Sequence, residues 1–206
     1  MAEGFAWFAS ATAFALSMSG SPGPNNAMVT ASGATWGFRP TLPHMFGVSI
    51  GLSVMLVAVA LGMGEALRAW PWLHEALRWA GAAYMLWLAW KIASADPDPA
   101  GLGRRDGVSR PLTFLQAAVF QWVNPKAWVV AVGAVAAYTT ATGAALVAQA
   151  GLLAAIFFVI TLPVVAGWTL VGVGAARVLR SRRALRLFNI AMAALLVASL
   201  LPMLRG

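Results

Sequence analysis

Long runs of apolar residues, separated by short polar or basic segments, dominate this chain. The hydrocarbon core of a bilayer is about 30 Å thick, so a helix needs roughly 20 residues to cross it. By that measure the pattern predicts six spans, at about residues 4–33, 44–64, 71–91, 112–138, 146–174 and 184–204. The predicted fold is therefore an all-α integral membrane protein.

Polar breaks interrupt two of these spans. The first span contains Ser21-Pro22-Gly23-Pro24-Asn25-Asn26, and the fourth contains Asn124-Pro125-Lys126. Proline removes a backbone hydrogen bond and lysine places a charge in hydrocarbon, so both oppose an ordinary apolar helix. Two broken segments at corresponding positions of two halves are typical of the central site of a secondary transporter.

A polar linker at 94–111, rich in Asp, Pro, Gly and Arg, divides the chain into halves at 1–93 and 112–206. Each half has three predicted spans, and an odd number forces the second half to enter the membrane in the opposite sense. We therefore expect a single membrane domain, 1–206, built from two inverted three-helix repeats with broken first and fourth helices.

The composition agrees with a membrane protein, because 61% of residues are hydrophobic and only 10% are charged, against about 25% in soluble domains. The net charge of +8 raises the question of nucleic acid binding. The basic residues, however, lie in loops after the first, third and fifth spans, with no basic face interleaved with aromatics. The positive-inside rule then predicts cytoplasmic basic loops, which can contact anionic lipid, and periplasmic termini.

Enzymatic chemistry is not expected. A membrane-embedded enzyme needs a metal cluster, paired carboxylates, or a nucleophile with its base. The chain has two histidines, six acidic residues and no cysteine, and these form no such set. We predict no catalytic residues, no cofactor and no metal site.

The two breaks predict a site for a zwitterion. Their prolines leave the carbonyls of Met18, Gly20 and Gln121 without helical donors. The half-helices that restart at Pro24 and Pro125 direct positive N-terminal ends into the same region. Free acceptors beside positive ends suit the ammonium and carboxylate groups of an amino acid.

Eight residues form the predicted substrate site: Pro22, Gly23, Pro24, Asn25, Asn26, Asn124, Pro125 and Lys126. Our hypothesis is that Lys126 and the helix amides bind the carboxylate, whereas the freed carbonyls and the asparagines bind the ammonium. The alternative is structural: the prolines are kinks, the asparagines are caps, and Lys126 snorkels to an interface.

Three segments carry a family resemblance. Ser21-Pro22-Gly23-Pro24-Asn25, Asn124-Pro125-Lys126-Ala127 and the segment 77–91 with its Gly81-Ala82-Ala83-Tyr84 resemble the bacterial lysine/homoserine exporter family of amino-acid efflux proteins. The resemblance implies proton-driven export of amino acids or related metabolites across the bacterial inner membrane. Asn25-Asn26 departs from the family motif, in which an acidic residue is common, so the motif itself does not identify the coupling group.

Proton coupling requires a titratable group, and the candidates are Lys126, His44 and Glu75. A lone histidine at a helix start is usually interfacial, and Glu75 can pair with Arg78 at helical spacing. No predicted span has an acid near its centre. Because a second ammonium would require a carboxylate, this absence favours neutral or small apolar amino acids over dibasic ones.

Two other functions stay open from the sequence. One is export of another small solute, either a metal ion or a toxic organic compound, although a soft-metal pump should show intramembrane Cys, His or Asp. The other is a membrane assembly subunit without transport activity. Gly47 and Gly51 form a small-residue pair that can receive a helix of this chain, of another protein or of a second copy, so a homodimer is compatible with the sequence.

Overall fold

The computed structural model describes residues 2–94, 110–179 and 181–200, and within them the chain is helical with no strand. The helices are α1 (Ala2–Gly20), α2 (Pro24–Trp36), α3 (Phe38–Ala58), α4 (Gly64–Ala69), α5 (Pro71–Ser94), α6 (Phe114–Val123), α7 (Pro125–Tyr138), α8 (Ala144–Val178) and α9 (Arg182–Ala198). A π-helical turn, Val59–Met63, follows α3. Residues 95–109 of the predicted linker and 201–204 of the predicted sixth span lie outside the described residues.

The two predicted breaks are confirmed. The first separates α1 from α2, and the second, at Asn124, separates α6 from α7. Pro24 and Pro125 each begin the second helix of their pair, where the missing N–H would have no intrahelical partner in any case. By contrast, α8 continues through Pro163 as a single helix.

Two helical stretches of the described chain are long and apolar enough to cross a membrane, Phe38–Met63 and Ala144–Val178. Large apolar side chains are also exposed on α1, α3, α5, α6, α7 and α8, among them Phe5, Val54, Trp79, Leu115, Val129 and Val159. So much outward-facing apolar surface suits lipid rather than water. The helical membrane class therefore agrees with the structure, whereas the six-span inverted repeat stays a prediction.

Glycines allow α2 and α8 to pack closely. A Cβ atom added at Gly33 would collide with the carbonyl of Thr169, and one at Gly172 would collide with the carbonyl of Thr30. Backbones that approach this closely require small residues at the contact, as is common between membrane helices. The contact fixes α2, the helix that follows the first break, against the second half of the chain.

Gly47 and Gly51 receive a helix of the same chain. A Cβ atom at Gly47 would collide with the carbonyl of Phe114, and one at Gly51 would lie 2.7 Å from the Cα atom of Ala118. The pair is thus occupied by α6. It gives no support to an assembly with another protein or with a second copy.

One buried apolar cluster joins both halves around the breaks. It includes Ala11 of α1, Leu52 and Met55 of α3, Ala131 of α7 and Phe157 of α8. One half-helix of each break, α1 of the first and α7 of the second, is therefore anchored in a shared core.

Candidate functional site

Lys126 reaches across the molecule to the first break. Its Nζ donates to the carbonyl oxygen of Ser21 at 2.7 Å, to Ser21 Oγ at 2.8 Å and to the carbonyl oxygen of Pro22 at 3.2 Å. Because the chain leaves helical geometry at residues 21–23, these carbonyls are free to accept from a side chain. The lysine of one break thus binds the freed acceptors of the other.

The free carbonyls differ in part from those expected. The Met18 carbonyl accepts from Ser21 Oγ at 2.9 Å, and the Gln121 carbonyl accepts from the N–H of Asn124 at 3.3 Å. These two carbonyls are therefore not the bare acceptors that we expected, because the residues at each break fold back onto the preceding turn. In the first break, the acceptors open to a cation lie further along the chain, at Ser21 and Pro22.

Asn26 connects the two helices of the first break. Its Nδ2 donates to the carbonyl of Ser19 at 2.8 Å and to that of Ser21 at 2.9 Å, and the residue is buried. The Ser21 carbonyl therefore accepts from both Asn26 and Lys126. This arrangement fixes the direction of the acceptors that face Lys126.

Asn25 and Gln121 form a reciprocal amide pair between the halves. Asn25 Nδ2 donates to Gln121 Oε1 at 2.9 Å, and Gln121 Nε2 donates back to Asn25 Oδ1 at 3.2 Å. Gln121 Nε2 also donates to the carbonyl of Ala117 at 2.8 Å. The sequence indicated a role for the Gln121 carbonyl but not for its side chain, whose one signal was an amide inside an apolar span, about one turn before Asn124.

The two half-helices that follow the breaks differ at their N-termini. Asn124 Oδ1 accepts from the N–H of Lys126 at 3.1 Å and so caps α7. At Gly23, the corresponding position of α2, no described side chain provides a cap. The positive end of α2 is consequently the more open one for a negatively charged group.

A cavity of about 40 Å³ lies beside these groups and has room for roughly three water molecules. Both halves line it. The polar lining residues are Ser19, Asn25, Asn26, Asn124, Lys126 and Thr161, and the others are Met18, Gly23, Val48, Leu52, Ala127, Val130 and Val165. Ser19 Oγ and Thr161 Oγ1 are hydrogen-bonded at 2.9 Å, and neither residue was predicted.

The structure therefore brings Gly23, Asn25, Asn26, Asn124 and Lys126 of the predicted site to one cavity. The predicted prolines contribute through the backbone. Pro22 offers its carbonyl to Lys126, whereas Pro24 and Pro125 start the half-helices, as stated above.

Gly23 leaves space for the lysine. A Cβ atom at this position would lie 2.8 Å from Cδ of Lys126 and 3.0 Å from its Nζ. The backbone of Gly23 is extended, a conformation open to any residue, so the requirement is for space. A larger side chain here would push the ammonium group away from its carbonyls.

The other two coupling candidates do not line this cavity. Glu75 and Arg78 form the predicted pair, with 3.1 Å between Oε1 and Nη1, and about half of the Glu75 side chain is exposed. His44 lies inside α3 rather than at the helix start where we expected it, and it is buried and lines a second cavity. Among the described residues, no group of three or more His, Cys, Asp and Glu could bind a metal ion.

Comparison with known proteins identifies relatives. A family model described as LysE type translocator matches residues 16–200, in agreement with the resemblance of the motifs. The chain is also 38% identical over 106 residues to the cysteine/O-acetylserine efflux protein of Escherichia coli (strain K12), and the match covers 51% of each chain. Proteins of the same name from Shigella flexneri serotype 5b and Shigella sonnei match equally well. The match thus spans about half the length of these relatives, and no solved structure matches the chain.

Proposed function

The chain belongs to the LysE type translocator family, and from that premise we propose that it exports small neutral amino acids across the bacterial inner membrane in exchange for protons. Membership of this family makes the chain a membrane transporter rather than an enzyme, as expected from the sequence. The observation that carries the proposal is the contact between the Lys126 ammonium and the carbonyls of the first break, beside a cavity lined by both halves.

The helix contacts support an inverted repeat. In such a repeat α3 corresponds to α8, α5 to α9 and α1 to α6. The corresponding helices contact each other, α3 with α8 and α5 with α9. In addition α3 packs on α6 as α8 packs on α1, which is the exchange of partners expected for a two-fold axis between the halves. This arrangement favours a substrate site at the repeat interface.

The cavity favours a small zwitterion. Its lining includes one cation, Lys126, and no acidic residue among the described positions. Valines and Leu52 form an apolar wall that suits a short side chain. The relatives are named for cysteine and O-acetylserine, which are both small amino acids with uncharged side chains. We therefore propose a substrate of that class for this chain.

Binding of the ammonium follows from the position of Lys126. The carbonyls of Ser21 and Pro22 already accept from one ammonium group, that of the lysine. We propose that the ammonium of the amino acid replaces it there, while the carboxylate faces the uncapped N-terminus of α2. This assignment revises our hypothesis from the sequence, in which Lys126 bound the carboxylate.

Replacement of one cation by another provides a mechanism of antiport. When the substrate ammonium takes the carbonyls, Lys126 releases one proton to water on the cytoplasmic side and becomes neutral, which avoids two adjacent cations in hydrocarbon. After the amino acid leaves on the periplasmic side, Lys126 takes up one proton there and returns to the carbonyls. Each cycle moves a net-neutral amino acid outward and one positive charge inward.

Both components of the proton gradient would then drive export. One elementary charge is worth about 2.3 kcal/mol per 100 mV of membrane potential. One unit of pH difference adds about 1.4 kcal/mol. The orientation proposed from the basic loops, with periplasmic termini, places Arg39, Lys91, Arg110 and Arg177 on the cytoplasmic side.

Counterflow in proteoliposomes tests the function. Vesicles loaded with unlabelled O-acetylserine, cysteine or other neutral amino acids should take up labelled O-acetylserine. Gly23→Leu should abolish this uptake by filling the space beside the Ser21 and Pro22 carbonyls that the substrate ammonium would occupy, whereas Gly20→Leu should retain it, because a Cβ at Gly20 meets nothing within 4 Å. Absence of exchange with every amino acid tested would overturn the proposal in favour of another solute or of a subunit without transport activity.

A further inference from the structure

A second cavity, of about 60 Å³, lies beside the C-terminal half of α2. Thr35 of α2, His44 of α3 and Lys91 of α5, three helices of the first half, line it together with Arg110 of the linker. Its distance from the first cavity, the one beside Lys126, can be measured along α2. The ten residues from Asn25 to Thr35 correspond to about 15 Å of helix. The two cavities are therefore separate, and α2 connects them.

His44 points to a ligand in this second cavity. The residue is 1% exposed, and neither ring nitrogen has a hydrogen-bond partner within the described part of the chain. A buried polar group without a partner is costly, so such groups normally bind water, an ion or a ligand. His44 is one of the residues that line the cavity, and a neutral imidazole has one N–H group that can donate.

The charges of the cavity select an anion. Lys91 and Arg110 both line it, and no acidic residue does so in the described ranges. Lys91 Nζ lies 4.7 Å from the centroid of the Trp87 ring, and neither cation pairs with a carboxylate of the described chain. A guanidinium and an ammonium on residues that line one cavity, without a described carboxylate among its lining, suit a carboxylate or phosphate.

We propose that this cavity is a binding site for an oxyanion, and that the carboxylate of an incoming amino acid occupies it before the central site. The second part rests on the proposed function and on the orientation that places Lys91 and Arg110 at the cytoplasmic side. A substrate arriving from the cytoplasm meets this site first and then moves along α2 to the breaks. The phosphate of an anionic lipid has the same chemistry and is the other source that the experiment distinguishes.

Thiol labelling tests the site without requiring transport. The natural chain has no cysteine, so Thr35→Cys introduces a single thiol into the cavity. In detergent, an anionic methanethiosulfonate reagent should label it at least tenfold faster than a cationic reagent of similar size, because fixed charges raise the local concentration of counter-ions. Ile92→Cys, from the same cavity, gives an independent test if the first variant does not fold.

Matched variants assign the selectivity to the two cations. Combining Thr35→Cys with Lys91→Gln and Arg110→Gln should reduce the ratio of the two rates about tenfold. Arg177→Gln, which removes an exposed cation that does not line the cavity, should leave the ratio unchanged. Equal labelling by both reagents in the parent variant, or a ratio insensitive to Lys91 and Arg110, would overturn the proposal.

Protection identifies the source of the oxyanion. In nanodiscs of phosphatidylcholine, O-acetylserine should slow labelling and a decarboxylated amine should not, which assigns the site to the amino-acid carboxylate. Protection by phosphatidylglycerol alone would support the oxyanion site but assign it to lipid. Counterflow in a protein that shows no anion-selective labelling would contradict the oxyanion site but support the proposed export. Anion-selective labelling without counterflow would support the oxyanion site and contradict the proposed export.

Discussion

The ammonium group of Lys126 donates to the backbone carbonyl of Ser21 at 2.7 Å, across 105 residues of sequence. Lys126 and the first break each satisfy the hydrogen-bonding requirement of the other. The break at Ser21 exposes carbonyls that need donors, and Lys126 brings a charge into an apolar helix that needs acceptors. The two breaks are therefore parts of one structure, and a change in either should affect both.

The Asn25–Gln121 amide pair should couple the two halves energetically. We expect Asn25→Ala and Gln121→Ala each to lower the midpoint of thermal unfolding, because each removes both hydrogen bonds of the pair and leaves at least the amide oxygen of the other residue without its partner. The double variant should be less destabilised than the sum of the single variants, by about 0.6–1.7 kcal/mol, the range for hydrogen bonds between membrane helices. Strictly additive effects in this double-mutant cycle would show that the pair contributes no coupling.

Asn124 should stabilise α7 through its cap. Asn124→Ala removes the acceptor for the N–H of Lys126 and should cost about 1 kcal/mol of stability, whereas Asn124→Ser, another good N-cap residue, should retain most of it. The midpoints of thermal unfolding of the two variants can be compared by size-exclusion chromatography of heated samples. Equal midpoints for native protein and Asn124→Ala would contradict the capping role.

The contact between α2 and α8 gives a matched glycine pair. Gly172→Ala places a methyl group against the carbonyl of Thr30 and should cost about 1–3 kcal/mol, because backbone atoms must move. Gly174→Ala lies two residues further along α8 and meets nothing within 4 Å, so its stability should be unchanged or slightly higher. The midpoint of thermal unfolding should be lower for Gly172→Ala than for Gly174→Ala. A lower midpoint for Gly174→Ala would contradict the close contact between α2 and α8.

The main architecture could be predicted because its signals are local. Pro24, Pro125 and Lys126 conflict with an apolar helix wherever they occur, so the sequence alone predicts both breaks. Pro163 also conflicts with a helix, yet α8 continues through it. Proline therefore marks a position of strain, and the surrounding packing decides whether the helix is interrupted there.

The contacts of the site could not be predicted in the same way. Gln121 and Asn25 are 96 residues apart, and nothing in either local sequence indicates the other. The long side chain of Lys126 could reach either a carboxylate or a carbonyl, and only the position of Ser21 in three dimensions decides between them. His44 was expected at the start of a helix because the apolar run starts there, whereas α3 begins earlier, at Phe38, and His44 is buried within it.

The central claim is that Lys126 and the substrate ammonium occupy the same carbonyls in turn. It is tested most directly in proteoliposomes with an acidic interior, by measuring gradient-driven accumulation and counterflow of labelled O-acetylserine for the native protein and for Lys126→Met. The native protein should show both activities. Lys126→Met should keep counterflow, since the carbonyls stay available to the substrate, but should lose accumulation because no proton is exchanged. Native-like accumulation by Lys126→Met would contradict the account, and loss of counterflow in a variant that still folds would instead make Lys126 a direct ligand of the substrate.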